Sequence, residues 1–431
     1  MATGKILYKS MYWKIFQLFT SFIINVILAR LFRAEVAAGF YSLVYLLSLC
    51  TGFFTLGLDI GLNYYLTRNR ISAQWASTII LTVTGIALMV SLPLIGAYYR
   101  TGFSMGSLLF FSGCHIAGVL LATLSGTIFT AYGRNHEQAM VAFFVNLVLA
   151  VFAGLAAGVL HREHAIVYVF YIYFSFSFLQ GVILFIMAWR RYGRVQGEGR
   201  DRPPFREIIR FSFGAFITNF IFFLAAKMCI YLLPYRVLPG PRGNYIQAYK
   251  IVEYLSLGTA FLYYPFITLV AGGDGSKVRE KVLFLVRLSN TMVLLCVVII
   301  LAVGRWLFPL VFGNSFDGMY GDFCWLIPGL FAACSSTFFT AWYFGRGLVR
   351  VNLISACIQL VTVVLFFFLF TGYGNVHGAA LAFSLSGLFS MAYDVLVFSR
   401  EGRLRGRDLL LAGGGDWRVI RAFVLQLLKR Q

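Results

Sequence analysis

Long apolar runs decide what this chain can fold into. Twelve of them stand out, near residues 12–31, 40–62, 76–99, 107–130, 139–160, 165–189, 208–232, 245–270, 283–303, 321–344, 351–371 and 377–398. A helix crosses the ~30 Å hydrocarbon layer of a bilayer with about 20 apolar residues, and each run meets that length. Runs of this kind, rather than ten-residue alternation, point to helices and not to an outer-membrane barrel, because a helix satisfies its own backbone in lipid. The chain is 60% hydrophobic and 12% charged, whereas a soluble domain is about 25% charged. The expected fold class is an all-α polytopic membrane protein with about 12 transmembrane helices and no soluble domain.

The only substantial internal break in hydropathy is RRYGRVQGEGRDRPPFRE, which divides the chain six plus six. The expected organisation is an N-terminal six-helix bundle over 1–189, a cytoplasmic linker over 190–207, a C-terminal six-helix bundle over 208–398 and a basic tail over 399–431. In the tail, Trp417, Ile420, Val424, Leu427 and Leu428 share a helical face after a triple glycine, so a short interfacial helix is expected there. The net charge of +20 raises the question of nucleic acid. Topology explains it better. With the N-terminus inside, 24 of the 36 basic residues fall in cytoplasmic segments and 6 in external loops, which places both termini in the cytoplasm. No nucleic-acid partner is expected. The N-terminus has basic residues ahead of its first apolar run but no small-residue cleavage site, so an uncleaved first span is expected. The seven cysteines lie in or beside apolar runs without CxxC spacing and read as small core hydrophobes.

Several segments carry a resemblance. The first span ends in Ala-Arg-Leu and is followed by a short loop with Glu35, Gly39-Phe40-Tyr41, and a second span ending in the Gly-Leu-x-x-Gly-Leu stretch at 57–62. Further on come GNYIQAYKIVEYL at 243–255, Pro265, LFPLVFGNSF at 307–316, GRGLVRVNLISA at 345–356 and GYGNVHGAALAFSLS at 372–386. In this order they resemble the Wzx-type flippases of the multidrug/oligosaccharidyl-lipid/polysaccharide exporter superfamily, over most of residues 10–400. The resemblance implies two six-helix bundles around a central cavity in the bacterial inner membrane. It also implies movement of an undecaprenyl-diphosphate-linked oligosaccharide between leaflets by alternating access, for surface polysaccharide such as O-antigen, capsule or exopolysaccharide. The implied partners are that lipid-linked substrate, membrane lipids, and a polysaccharide polymerase and glycosyltransferases.

An ionisable side chain in a span is costly, so it usually faces a cavity or a partner. The set here is Lys14, Arg30, Asp59, His115, Lys227, Lys250, Glu253 and Asp394. Span order puts Arg30, Lys227, Lys250 and Glu253 in the outer half, three cations against one carboxylate. Arg30, Lys227 and Lys250, with Glu253 beside them, are therefore candidates to receive an anionic diphosphate or acidic sugars. Two blander readings stay open: Arg30 snorkels to the interface, and Lys250 or Lys227 is merely neutralised by Glu253. Lys14, Asp59, His115 and Asp394 are candidates for ion coupling or for an inner-side pair, with His115 otherwise a hydrogen-bonded core histidine.

The remaining signals are weak. His161 and His164 lack a third ligand, and GGDGSK at 272–277 lacks the spacing of a phosphate loop. No metal, no cofactor and no ATPase activity are expected. The alternatives are a drug or ion antiporter or a lipid II flippase of the same superfamily. A different class is a membrane-embedded polysaccharide polymerase or glycosyltransferase, which would usually carry its catalytic groups in a sizeable external loop. The external loops here are short, so no enzyme is expected. Aromatic runs such as VYVFYIYFSFSF at 167–178 read first as lipid-facing surface. Gly118, Gly126, Gly154, Gly158, Gly378 and Gly387 read as sites of close helix contact.

Overall fold

The structure, a computed structural model, describes residues 2–68, 70–98, 104–193, 205–260, 275–372 and 375–400. These hold twelve α-helices: α1 (Ala2–Phe54), α2 (Leu58–Thr67), α3 (Ala73–Tyr98), α4 (Met105–Ala131), α5 (Asn135–Val159), α6 (Arg162–Tyr192), α7 (Phe205–Leu232), α8 (Pro239–Ala260), α9 (Gly275–Phe312), α10 (Met319–Gly345), α11 (Val349–Phe370) and α12 (His377–Ser399). No strand occurs among the described residues. The tail 401–431 with its expected interfacial helix, linker residues 194–204, Pro265 with the second half of the eighth expected span, and residues 272–274 lie outside the described residues.

Ten of these helices are long and apolar enough to cross a membrane. Two details reconcile ten with the expected twelve. The apolar part of α1 is 46 residues long, about 69 Å at the ~1.5 Å rise of a helix, or twice a bilayer core. It is two spans: Arg33 breaks it with φ 57 and ψ 173. The legs fold against each other, since the Tyr41 hydroxyl donates to Asn25 Oδ1 at 2.6 Å and the Phe32 and Phe40 rings lie 5.0 Å apart. The other is α8, whose opening Pro-Gly-Pro-Arg-Gly-Asn and internal Lys250 and Glu253 lower its hydropathy. The chain is an all-helical, multi-pass membrane protein, and its many exposed large apolar side chains, such as Met89, Val159 and Leu310, suit contact with lipid.

The chain divides into two compact units, Met1–Phe220 and Ile221–Gln431, with the division inside α7. In the first unit the break at Arg33 frees the Leu31 carbonyl, and Arg162 at the start of α6 takes it up through Nε and a terminal nitrogen at 3.1 and 2.9 Å. A positive φ at a non-glycine residue persists only where its surroundings hold it. Arg162→Ala is therefore expected to lower stability by about 1.5–3 kcal/mol, the range for a hydrogen bond to a charged donor. Thermal unfolding of purified protein in micelles reads this, and an unchanged melting temperature would show that the bend holds itself.

The second expected span, 40–62, is interrupted. Leu56 and Gly57 adopt φ 47 and 67, and α2 resumes at Leu58. A Cβ on Gly57 would come within 2.7 Å of the Ser212 carbonyl oxygen of α7, and Gly61, one turn on, abuts the Ser212 hydroxyl. The Gly-Leu-x-x-Gly-Leu stretch thus serves a tight turn and a close helix approach. At one end of this unit Glu137 joins Arg134 at 2.9 Å and Arg191 at 2.8 Å, while Tyr132 and Tyr192 stack 4.3 Å apart. These contacts tie together the ends of α4, α5 and α6.

Two surface expectations need correction. In the aromatic run of α6, Val167, Tyr168, Tyr171 and Phe178 are exposed, but Phe170 and Phe174 are buried one turn apart and pack on Phe40 and Phe111. A 3.6-residue period splits the run between lipid and core. Gly118, Gly126, Gly378 and Gly387 do sit at close contacts, whereas Gly154 and Gly158 have nothing near them.

In the second unit α12 packs on both α10 and α11, and α8 packs on α10. Pro328 removes one backbone donor from α10. Beside it the Ser384 hydroxyl of α12 accepts from the Gly329 N–H at 3.1 Å and donates to the Trp325 carbonyl at 2.6 Å, the two groups that pair in an undisturbed helix.

Candidate functional site

Two of the cations that sequence order expects in the outer half, Lys227 and Lys250, converge in unit 2. Lys227 sits late in α7 in the run FFLAAKMCIYL, among apolar neighbours that leave its side chain 9% exposed. Such a charge requires a partner. It forms an ion pair with Glu253 Oε1 of α8 and lies 4.5 Å from the centre of the Tyr249 ring. Lys250, three residues before Glu253, lies on the same side of α8 and within electrostatic reach of Lys227.

The segment that positions these groups is GNYIQAYKIVEYLSL of α8. Tyr249, Lys250, Glu253, Tyr254, Ser256 and Leu257 line an open depression of about 340 Å³. Helical spacing accounts for the set, since 249, 253 and 256 fall in one row and 250, 254 and 257 in the next. The cluster holds two ammoniums and one carboxylate, a net positive charge, beside tyrosine rings and a serine hydroxyl. Chemically this suits an anion that also carries hydroxylated or ring-shaped groups.

The other sequence candidates lie apart from this cluster. Arg30 is exposed on α1, three residues before the Arg33 break, and belongs to unit 1. Lys14 and Asp59 are half-buried in unit 1 on α1 and α2. His115 is buried on α4, edge-on to Phe174 with centroids 5.8 Å apart, and neither ring nitrogen has a hydrogen-bond partner. It is a core histidine without the expected hydrogen bond. Asp394 is fully buried on α12. The structure thus joins Lys227, Lys250 and Glu253, and it adds Tyr249 and Tyr254.

One aspartate–histidine pair escaped sequence reading. Asp322 of α10 is 1% exposed, and its Oδ1 lies 2.9 Å from His377 Nδ1 at the start of α12. Both residues stand at span edges, where charge is unremarkable. Only the side-by-side starts of α10 and α12 show that they meet. Among the described residues no three His, Cys, Asp or Glu side chains gather as a metal site.

No family model and no curated protein sequence matches the chain. Solved structures do. A multidrug resistance MATE family transporter of the MOP superfamily, in an outward-facing conformation, aligns with TM-score 0.68 and 14% identity over 93% of this chain and 96% of its own. A MOP superfamily transporter from Pyrococcus furiosus, described as having a binding pocket of reversed polarity, aligns with TM-score 0.65 and 14% identity over 92% and 95%. The lipid II flippase MurJ, in an inward closed conformation, aligns with TM-score 0.61 and 13% identity over 94% and 88%. These likenesses extend over nearly the whole of each chain, and the protein has the fold of the MOP-superfamily transporters.

Proposed function

We propose that the protein is a transporter working by alternating access, and specifically a flippase for an undecaprenyl-diphosphate-linked oligosaccharide bound for surface polysaccharide. The observation that carries this reading is the cluster of Lys227, Lys250 and Glu253 on the open depression of α8. Its net positive charge suits a diphosphate, its tyrosines suit sugar rings, and the same charge disfavours the organic cations that a drug exporter would carry. The fold of drug transporters and of a lipid II flippase supports transport in general, and the ordered sequence resemblance supports the glycan-lipid cargo. On this reading the protein resides in the bacterial inner membrane with both termini in the cytoplasm. It acts on its cargo without enzymatic chemistry and works beside a polysaccharide polymerase and glycosyltransferases.

The test is complementation of polysaccharide export in a flippase-deficient strain, at matched membrane expression. The wild-type chain is expected to restore export, and Lys227→Ala with Lys250→Ala to abolish it. Full export by the double variant would remove the lysines from the mechanism. Failure of the wild type together with efflux of a cationic dye would favour the antiporter.

A further inference from the structure

The contacts that tie the ends of α4, α5 and α6 leave a charge unbalanced in unit 1. Gly133, at φ 70, turns the chain after α4 and delivers Arg134 to the N-terminus of α5, while Arg191 stands in the last turn of α6. Between them Glu137, in the first turn of α5, accepts from both through the same Oε1. Each arginine donates through Nη1 alone, at 2.9 Å from Arg134 and 2.8 Å from Arg191, and the Arg191 nitrogen also reaches Oε2 at 2.8 Å. The two guanidiniums are thus held side by side, and the three residues carry one net positive charge.

The exposure of these groups is ordered. The Glu137 side chain is 7% exposed and both arginine side chains are 45% exposed, so an anion arriving from outside the protein meets guanidinium before carboxylate. Nε and Nη2 of each arginine, a fork that matches two phosphate oxygens, have no protein partner among the described residues. A further donor stands beside them. Tyr192 is 7% exposed, its ring is stacked on Tyr132, and its hydroxyl has no hydrogen-bond partner. It lies within electrostatic reach of Glu137, Arg134 and Arg191. The N-terminus of α5 adds the positive end of its dipole. Exposed Arg190, with exposed Arg68 and Arg70 of the α2–α3 turn that borders the same hydrophobic cluster, makes the surroundings positive. Glu207, a second carboxylate at this end, accepts from the Tyr65 hydroxyl at 3.2 Å.

The arginines stand at the edge of the bilayer. Trp189, exposed on α6 beside Phe185, marks the headgroup level, where indole rings collect. Deeper along α6 the exposed side chains are apolar, as at Ile186. A lipid can therefore set its phosphate against the guanidiniums and lay its acyl chains along the helix. A phosphodiester carries one negative charge, which balances the one positive charge of the trio. The ammonium of a zwitterionic lipid would instead be repelled by Arg190, Arg68 and Arg70. We propose that Arg134, Arg191 and Tyr192, with Glu137 as the positioning residue, bind the headgroup phosphate of an anionic glycerophospholipid such as phosphatidylglycerol. On the orientation proposed above this end of unit 1 faces the inner leaflet. The lipid site is independent of the cargo reading.

The test titrates purified full-length protein in neutral-detergent micelles with dioleoyl phosphatidylglycerol, dioleoyl phosphatidylcholine or inorganic phosphate. Native mass spectrometry reads the bound lipid, and thermal unfolding reads stability. Phosphatidylglycerol is expected to be retained as one tight molecule and to raise the melting temperature, because a ligand that binds only the folded state stabilises it. Phosphatidylcholine and inorganic phosphate should do neither. The triple variant Arg134→Gln, Glu137→Gln, Arg191→Gln strands no charge, and it should bind phosphatidylglycerol about tenfold or more weakly. Tyr192→Phe removes one hydroxyl and no charge, so it keeps the test readable if the triple variant does not fold, and it should also weaken binding. Arg350→Gln on α11 removes the same net charge as the triple variant and should bind as the wild type does, which separates a site from the general attraction of a basic face. Lys227→Met with Glu253→Gln should also bind normally, so failure of the lipid site and failure of the cargo reading are distinct results. Equal retention of phosphatidylcholine, undiminished binding by the triple variant, an equal loss in Arg350→Gln, or stabilisation by inorganic phosphate alone would each overturn the proposal.

Discussion

Lys227→Met is expected to cost about 3 kcal/mol of stability and to stop transport, and the companion change Glu253→Gln is expected to restore the stability alone. Removing one member of a buried ion pair leaves the other uncompensated, at about 3–5 kcal/mol. The lower end applies because Glu253 keeps 33% exposure. Removing both charges leaves no stranded carboxylate, and replacement of a whole buried pair is often neutral or stabilising. The double variant should therefore melt close to the wild type. Its transport should stay lost, because the ammonium that would meet an anionic cargo is gone. Transport by the double variant would reduce Lys227 to a packing element and leave the cargo proposal without its main support. The readouts are thermal unfolding in micelles and export at matched expression.

A single methyl group at Gly181 is expected to abolish folded protein. Gly181 of α6 faces Gly118 of α4, and a Cβ there would overlap the Gly118 carbonyl oxygen and lie 2.8 Å from its Cα. In the other direction, a Cβ on Gly118 would stand 2.5 Å from the Ser177 carbonyl carbon and 2.7 Å from the Phe178 nitrogen. These are backbone atoms, so no side chain can turn aside and the helices must part. Overpacking typically costs about 1–3 kcal/mol and occasionally more, and overlap with backbone atoms puts this site at or beyond the upper end. Gly154→Ala is the control, since nothing lies within 4 Å of a Cβ there. It should be neutral or gain up to about 1 kcal/mol from helix propensity. A monodisperse, normally melting Gly181→Ala protein would show that the α4–α6 approach is looser than described.

The helices were legible because the bilayer demands them. The runs at 107–130, 321–344 and 377–398 anticipate α4, α10 and α12 to within about two residues, since a span must be both apolar and about 20 residues long. Apolarity says nothing of what happens inside a span. The break at 55–57 follows from the approach of Ser212, which lies far off in sequence, although the Gly-Leu-x-x-Gly-Leu pattern marked the place. Periodicity would have divided the aromatics of α6 between core and lipid; total hydrophobicity could not. At the site, residue type and depth singled out Lys227, Lys250 and Glu253, but the choice of Glu253 as partner for Lys227 depends on how α7 and α8 pack.

The bridge that Ser384 makes across the Pro328 break also sets how unit 2 can move. A slip of α12 by one turn, about 5.4 Å, would bring Ala380 or Leu388 opposite Gly329 and Trp325. Neither carries a hydroxyl. α10 and α12 therefore mesh like a ratchet with a single tooth: each displaced register leaves a backbone donor and acceptor bare in a region without water, at several kcal/mol. Rotation of the whole unit leaves the bridge untouched. Among the ways a helical membrane protein can change shape, this contact selects against shear within α10–α12 and favours motion of these helices as one block.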